Sequence, residues 1–91
     1  MLNETLFKKK ENEIKIIGSD TENVDFEFTV NIEKGFGGYM IGIVEELKGC
    51  YSQASSIEKL LEALRQEIET YIDIKFNKVS YFSESRELIS I

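Results

Sequence analysis

The only cysteine of the chain, Cys50, lies in the stretch KGCYSQASSIEKL, residues 48–60, and is the obvious candidate nucleophile. A reactive thiolate needs a cationic neighbour or a helix N-terminus. Lys48 is two residues away, and the predicted helix begins several residues later. The chain contains no histidine, so neither a Cys-His nor a Ser-His-Asp arrangement can be built within one chain. The favoured interpretation of Cys50 is therefore a buried, small apolar side chain.

Carboxylates are the second group that could do chemistry, because nuclease sites hold Mg²⁺ with carboxylates from strands and a helix. The candidates are Asp25, Glu27, Glu33 and Glu58. Glu27 and Glu33 are six residues apart in a predicted strand, which separates them by about 20 Å, too far to share one ion. Glu58 is better explained by helix capping. We therefore predict no metal site and no cofactor, and a degenerate nuclease is only a distant third alternative.

Length and charge limit the function classes further. The chain has 91 residues and a net charge of −6, and residues 18–54 carry seven acids against two lysines. One domain is expected. Direct nucleic-acid binding is disfavoured because phosphates are bound by Lys and Arg, whereas an acidic surface suits a basic protein partner.

No apolar run is long enough to span a membrane, and the N-terminus does not resemble a signal peptide, so a cytoplasmic location is expected.

Two predicted strands form the centre of the fold. FEFTVNIE, residues 26–33, alternates strictly between apolar and polar side chains, which is typical of a strand with one buried face. KGFGG, residues 34–38, provides glycines for a tight reversal. YMIGIV, residues 39–44, is apolar on both faces and predicts a more central strand. Together they predict an antiparallel hairpin rather than a phosphate-binding loop, because the glycines do not precede a helix.

An amphipathic helix is the strongest pattern in the second half of the chain. CYSQA, residues 50–54, predicts a short third strand. Ser55 and Glu58 then form a capping box at the helix start. The following apolar residues recur at helical spacing over roughly five turns and predict packing on one face of a sheet. They are Ile57, Leu60, Leu61, Leu64, Ile68, Tyr71 and Ile72.

The predicted fold class is α+β, in the order β-β-β-α-β, with one helix on a mainly antiparallel sheet. Residues 88–91, LISI, are the predicted final strand, and residues 76–80 are ambiguous. Residues 14–17 read as a weak strand or an extension. We accordingly divide the chain into an N-terminal extension, residues 1–25, and one domain, residues 26–91.

The order of these segments resembles the HicB family of antitoxins. The Gly-Cys-x-Ser-Gln step before a capped helix is the most specific match, and the resemblance covers about residues 26–91. Lys48 stands where the family usually has proline, and Ala54 where it usually has glycine. The matching residues are Val30, Ile32, Glu33, Gly38, Tyr39, Gly49, Cys50, Ser52, Gln53, Glu58, Leu61, Leu64, Glu67, Ile68, Tyr71 and Ile72.

The resemblance implies a partial RNase H-like fold and a partner. HicB antitoxins bind HicA, a small basic toxin that cleaves RNA with a histidine, and they cover its active site. Many also carry a DNA-binding domain, for which no sequence remains after the matching segment, so operator binding is not expected.

We therefore expect a non-enzymatic antitoxin that neutralises a HicA-type ribonuclease and that forms a homo-dimer or a higher oligomer. The alternative is an orphan HicB-like homo-oligomer, structural or regulatory and without a toxin, assembled by pairing exposed sheet edges. The partner-facing residues are expected on the wet strand face and in the loops. They are Glu27, Glu33, Phe36, Tyr39, Glu45, Glu46 and Tyr51.

Overall fold

The structure is a computed structural model that describes residues 13–83 and 87–89. One five-stranded antiparallel sheet, in the order β4-β3-β2-β1-β5, carries one helix. The predicted α+β class is therefore confirmed, with one strand more than expected. The elements are β1 Glu13–Ser19, β2 Asp25–Lys34, β3 Met40–Val44, β4 Tyr51–Ala54, α1 Ile57–Ile72 and β5 Lys78–Ser83.

The additional strand is β1, which includes the residues 14–17 that the sequence left between a weak strand and an extension. It pairs antiparallel with β2 on one side and with β5 on the other. Ile14 and Ile16 point toward the helix and are buried. A strand paired on both sides needs little intrinsic propensity, because its neighbours supply the hydrogen bonds. Residues 1–12 lie outside the described part.

The last strand of the sheet is β5 rather than residues 88–91, so this part of the predicted order is corrected. β5 pairs with β1 along its length. Leu88 makes only an isolated bridge to Phe82, and residues 90–91 lie outside the described part. Val79 and Tyr81 contribute to the core from β5, in a segment whose first part, residues 76–80, the sequence left ambiguous.

The hairpin between β2 and β3 forms as predicted. Its tip is a short 3₁₀ turn, Phe36–Gly38. Gly37 and Gly38 have φ values of 62° and 83°, in the left-handed region that glycine adopts at little cost. This turn leaves the side chain of Phe36 projecting from the end of the sheet.

Helix α1 begins one residue later than the predicted capping box. Ser56, not Ser55, is the N-cap, and its hydroxyl accepts a hydrogen bond from the backbone N–H of Lys59 at 3.2 Å. Adjacent serines offer two possible caps, and the one with extended backbone immediately before the first turn is used. At the other end, Asp73 closes the helix in the left-handed conformation.

The core lies between α1 and one face of the sheet. Leu60, Leu61, Leu64 and Ile68 of α1 are fully buried. The helix lies close over β3, because a Cβ atom on Gly42 would be 2.7 Å from Leu64 Cδ1. One helix can cover only one face of the sheet, and the other face is therefore left without a layer of structure from the described residues.

Candidate protein-binding face

We call the side of the sheet opposite α1 the open face. Side chains alternate between the two sides of a strand, and the strand register assigns every second residue to it. Its residues are Glu13, Lys15, Ile17 and Ser19 on β1, Asp25, Glu27, Thr29, Asn31 and Glu33 on β2, Ile41 and Ile43 on β3, Tyr51 and Gln53 on β4, and Lys78, Ser80 and Phe82 on β5.

An exposed apolar pair lies at the β3–β4 side of the open face. Ile43 and Tyr51 are direct cross-strand partners and are 38% and 61% exposed. Ile41 lies two residues before Ile43 on the same face and is half-buried. β3 is flanked by β4 and β2, as a more central strand should be, but α1 covers only the side occupied by Gly42 and Val44, so the apolar side chains on its other side belong to the open face.

Two aromatic residues extend this apolar surface toward the hairpin tip. Phe36 is 95% exposed, and Tyr39 is 46% exposed. Tyr39 has extended backbone, so strand alternation places it on the same side as Ile41 and Ile43. The aromatic residues Phe36, Tyr39 and Tyr51 are thus accessible along one margin of the sheet.

Carboxylates surround the apolar pair, but they are not equally free to meet a partner. Glu33 is exposed and has no ion-pair partner among the residues described. The carboxylate of Glu45 accepts a hydrogen bond from the Asn31 side-chain amide. The carboxylate of Glu46 instead accepts the backbone N–H of Thr29 at 2.7 Å, which gives it a structural role.

Glu27 is separated from this cluster. It lies four residues before Asn31, near the start of β2, and its carboxylate is 3.8 Å from Nζ of Lys15 on β1. Lys15 also donates a hydrogen bond to Thr29 Oγ1 at 2.8 Å. Both lysines of the open face, Lys15 and Lys78, therefore lie on the β1–β5 side, and the acids next to β3, Glu33 and Glu45, have no lysine or arginine beside them on this face.

Three of the seven predicted partner-facing residues, Glu33, Glu45 and Tyr51, lie beside Ile41 and Ile43, and Tyr39 lies on the same side toward the hairpin tip. Phe36 extends the group at the hairpin tip, while Glu27 and Glu46 are engaged as described above. Sequence reasoning missed Ile41 and Ile43. Their spacing from Tyr39 was an available signal, since residues two apart on a strand share a face.

Cys50 lies on the other side of the structure, within the core. It is 2% exposed, and burial raises the pKa of its thiol, with a further contribution from the negative charge of Glu67. This environment agrees with the small apolar role expected for Cys50 and opposes formation of a thiolate.

Within residues 13–83 and 87–89, no three Cys, Asp or Glu side chains are grouped so that they could hold a metal ion. The helix in the same ranges is too short and too polar to cross a membrane.

Comparison with known proteins finds three relatives that share one family name. A UPF0150 protein of Archaeoglobus fulgidus is 39% identical over 51 residues, which cover 56% of this chain and 74% of that protein. A UPF0150 protein of Synechocystis sp. is 40% identical over 57 residues, covering 62% and 83%. One from Helicobacter pylori is 35% identical over 60 residues, covering 65% and 82%.

No protein-family model and no solved structure matches the chain. The three relatives are nevertheless matched over about three quarters or more of their own lengths. The chain therefore belongs to the UPF0150 protein family.

Proposed function

We propose that this protein is a non-enzymatic, HicB-like antitoxin that binds a HicA-type ribonuclease and covers its active site. The observation that carries the proposal is the exposed Ile43–Tyr51 pair, bordered by Glu33 and Glu45 on the open face. Protein interfaces commonly combine a central apolar or aromatic anchor with a polar rim. A basic partner provides the complementary charge for this rim.

The charge of the whole chain supports the same kind of partner. The net charge of −6 favours diffusional encounter with a basic protein. A HicA-type toxin is a small basic protein because it must bind RNA, so an acidic protein that occupies its RNA-binding surface excludes the substrate. The proposal places the protein in the cytoplasm, where messenger RNA is available to such a toxin.

The absence of enzymatic activity is part of the proposal. Its support is chemical: the chain has no histidine, and the one thiol is buried with a raised pKa. A purified sample that cleaves RNA in the presence of Mg²⁺ or Mn²⁺ would contradict this part.

The test is co-expression of the chain with the product of the adjacent gene, which the proposal expects to be a small basic protein of the HicA type, followed by copurification and an RNA-cleavage assay. We expect a stable complex and loss of cleavage. Absence of both a complex and any relief of cleavage would refute the antitoxin role.

Matched variants then locate the contact. Tyr51→Ala should weaken toxin binding at least tenfold, the effect of losing a central aromatic anchor. Tyr71→Ala is the control, because Tyr71 is 51% exposed but lies on the helix. Equal losses of affinity in both variants would show that the open face is not the binding surface.

Charge reversal on the open face provides a second localisation. Glu33→Lys should weaken binding and flatten its dependence on salt, whereas Glu67→Lys on the helix should have a smaller effect. Reversal at Glu45 and Glu46 together is a poorer test, because Glu46 also binds the backbone of Thr29. Unchanged affinity in Glu33→Lys would remove the acidic rim from the interface.

The second candidate is an orphan homo-oligomer without a toxin. It is favoured by the outer edge of β4, which pairs with no strand within residues 13–83 and 87–89. The co-expression test separates the two candidates, because the orphan neither binds the neighbouring protein nor relieves RNA cleavage.

A further inference from the structure

The outer edge of β4 presents unpaired backbone groups whose identity follows from the sheet register. Val44 N–H donates to the carbonyl of Cys50 at 3.0 Å. Hydrogen-bonded residues alternate along an antiparallel strand, so Ser52 and Ala54 also face β3. Tyr51 and Gln53 consequently direct their N–H and C=O groups away from β3, toward the outside of the sheet.

This edge is short but carries neither of two features that commonly prevent strand addition, charge and proline. β4 has the sequence YSQA. The opposite edge is different, because β5 contains Lys78 and is partly paired by the returning chain. There, Ser83 N–H donates to the Glu87 carbonyl and Ile89 N–H donates to the Tyr81 carbonyl, both at 2.8 Å.

We propose that a second copy of this chain adds antiparallel to β4, on a two-fold axis at Ser52. In this register Tyr51 of each copy is opposite Gln53 of the other, and the two Ser52 residues face each other. All four outward groups of each strand are then paired, with four hydrogen bonds across the axis. If the axis passed through Tyr51 or through Gln53 instead, that residue would face the same residue of the second copy. The other outward-facing residue would then lie opposite a residue outside β4 and would have no strand partner.

Charge complementarity supports a second copy as the occupant of this edge. Antiparallel addition places the start of each β4, preceded by Lys48, beside the end of the other β4, which leads directly into α1. Lys48 and Glu58 of the first helical turn are both exposed. The symmetry therefore brings a lysine of each copy near a glutamate of the other, twice per dimer.

The dimer also extends the open face. Tyr51 lies on that face beside Ile43. In the dimer, one such pair therefore lies on each side of the axis, on the open face of one continuous sheet. The inference goes beyond both candidate functions, because it identifies the edge and the register and applies with or without a toxin. A four-residue edge buries little surface, so a weak, concentration-dependent dimer is expected.

Disulfide trapping tests the register directly. Facing residues of a non-hydrogen-bonded pair have Cα atoms about 4.5 Å apart, within the range that a disulfide spans. In a Cys50→Ala background, Ser52→Cys should therefore form a cross-linked dimer under mild oxidation. Ser55→Cys in the same background is the control and should remain largely monomeric, because its two copies are far apart along the antiparallel pair.

Sedimentation of the otherwise unmodified chain gives an independent measurement. We expect a concentration-dependent dimer whose dissociation constant increases at least about tenfold in Gln53→Pro, since proline removes one outward N–H from each strand while leaving the β3 pairs intact. Circular dichroism of the variant confirms that it folds. A monomer at all concentrations, or a dimer in which Ser52→Cys cross-links no better than Ser55→Cys, would overturn the proposal.

Discussion

The carboxylate of Glu46 completes the hydrogen bonding of β2 by accepting the backbone N–H of Thr29 at 2.7 Å. The Thr29 carbonyl accepts the N–H of Glu45 at 2.9 Å, as an extension of β3 would require. The chain then turns, and the second bond of the pair comes from the Glu46 side chain instead of a backbone carbonyl. A loop glutamate therefore replaces part of a strand.

Glu46→Ala should destabilise the fold by about 1–3 kcal/mol, because the Thr29 N–H, in a residue that is 4% exposed, loses its acceptor. Glu33→Ala is the control and should change the free energy of unfolding by less than about 0.5 kcal/mol. Urea unfolding of both variants measures the difference. Similar values for the two would show that water satisfies Thr29 equally well.

The helix cap gives a second comparison between neighbouring residues. Ser56→Ala should cost about 1 kcal/mol, because it removes the acceptor for Lys59 N–H. Ser55→Ala should have little effect, although the capping-box pattern assigned the cap to Ser55. Thermal or urea unfolding distinguishes them, and a larger loss in Ser55→Ala would restore the sequence-based assignment.

These two cases show where sequence reasoning succeeds and where it stops. The alternation of residues 26–33 and the helical spacing from Ile57 are local patterns with strong periods, so β2 and α1 were predictable. The exposure of Ile43 was signalled only by its spacing from Tyr39, because residue type does not indicate which face of a sheet a single helix covers. The bond between Glu46 and Thr29 joins residues 17 positions apart, and no local pattern specifies it.

The close approach of α1 to β3 predicts coupling between two core residues. Gly42→Ala should destabilise by about 1–3 kcal/mol, because its Cβ would lie 2.7 Å from Leu64 Cδ1. Leu64→Ala alone should cost about 2–5 kcal/mol by creating a cavity. The double variant should lose less than the sum, by about 0.5–3 kcal/mol, since each change relieves the other. Strict additivity in urea unfolding would place the helix farther from Gly42 than the structure does.

The helix surface predicts a pH dependence of stability. A hydrogen bond from Arg65 lowers the pKa of Glu62 below its ordinary value of 4.5. A lowered pKa in the folded state contributes stability that is fully present above about pH 4.5 and is lost as the pH falls through the folded pKa. The difference in unfolding free energy between the unmodified protein and Glu62→Gln should therefore be positive at pH 7 and decrease toward pH 3. A difference that is constant over this range would contradict the assigned interaction.

Cys50 predicts the opposite sign at alkaline pH. Burial, assisted by Glu67, raises the pKa of its thiol above the ordinary value of 9.0. The corresponding stability is present below pH 9.0 and is lost as the pH rises through the folded pKa.

At pH 8 the folded protein should react with a thiol reagent at least about tenfold more slowly than Ser55→Cys in a Cys50→Ala background, because fewer thiolates form and the sulfur is shielded. In denaturant the two proteins should react at similar rates. A rapid reaction of native Cys50 would instead make this residue an accessible nucleophile and reopen the enzymatic alternative.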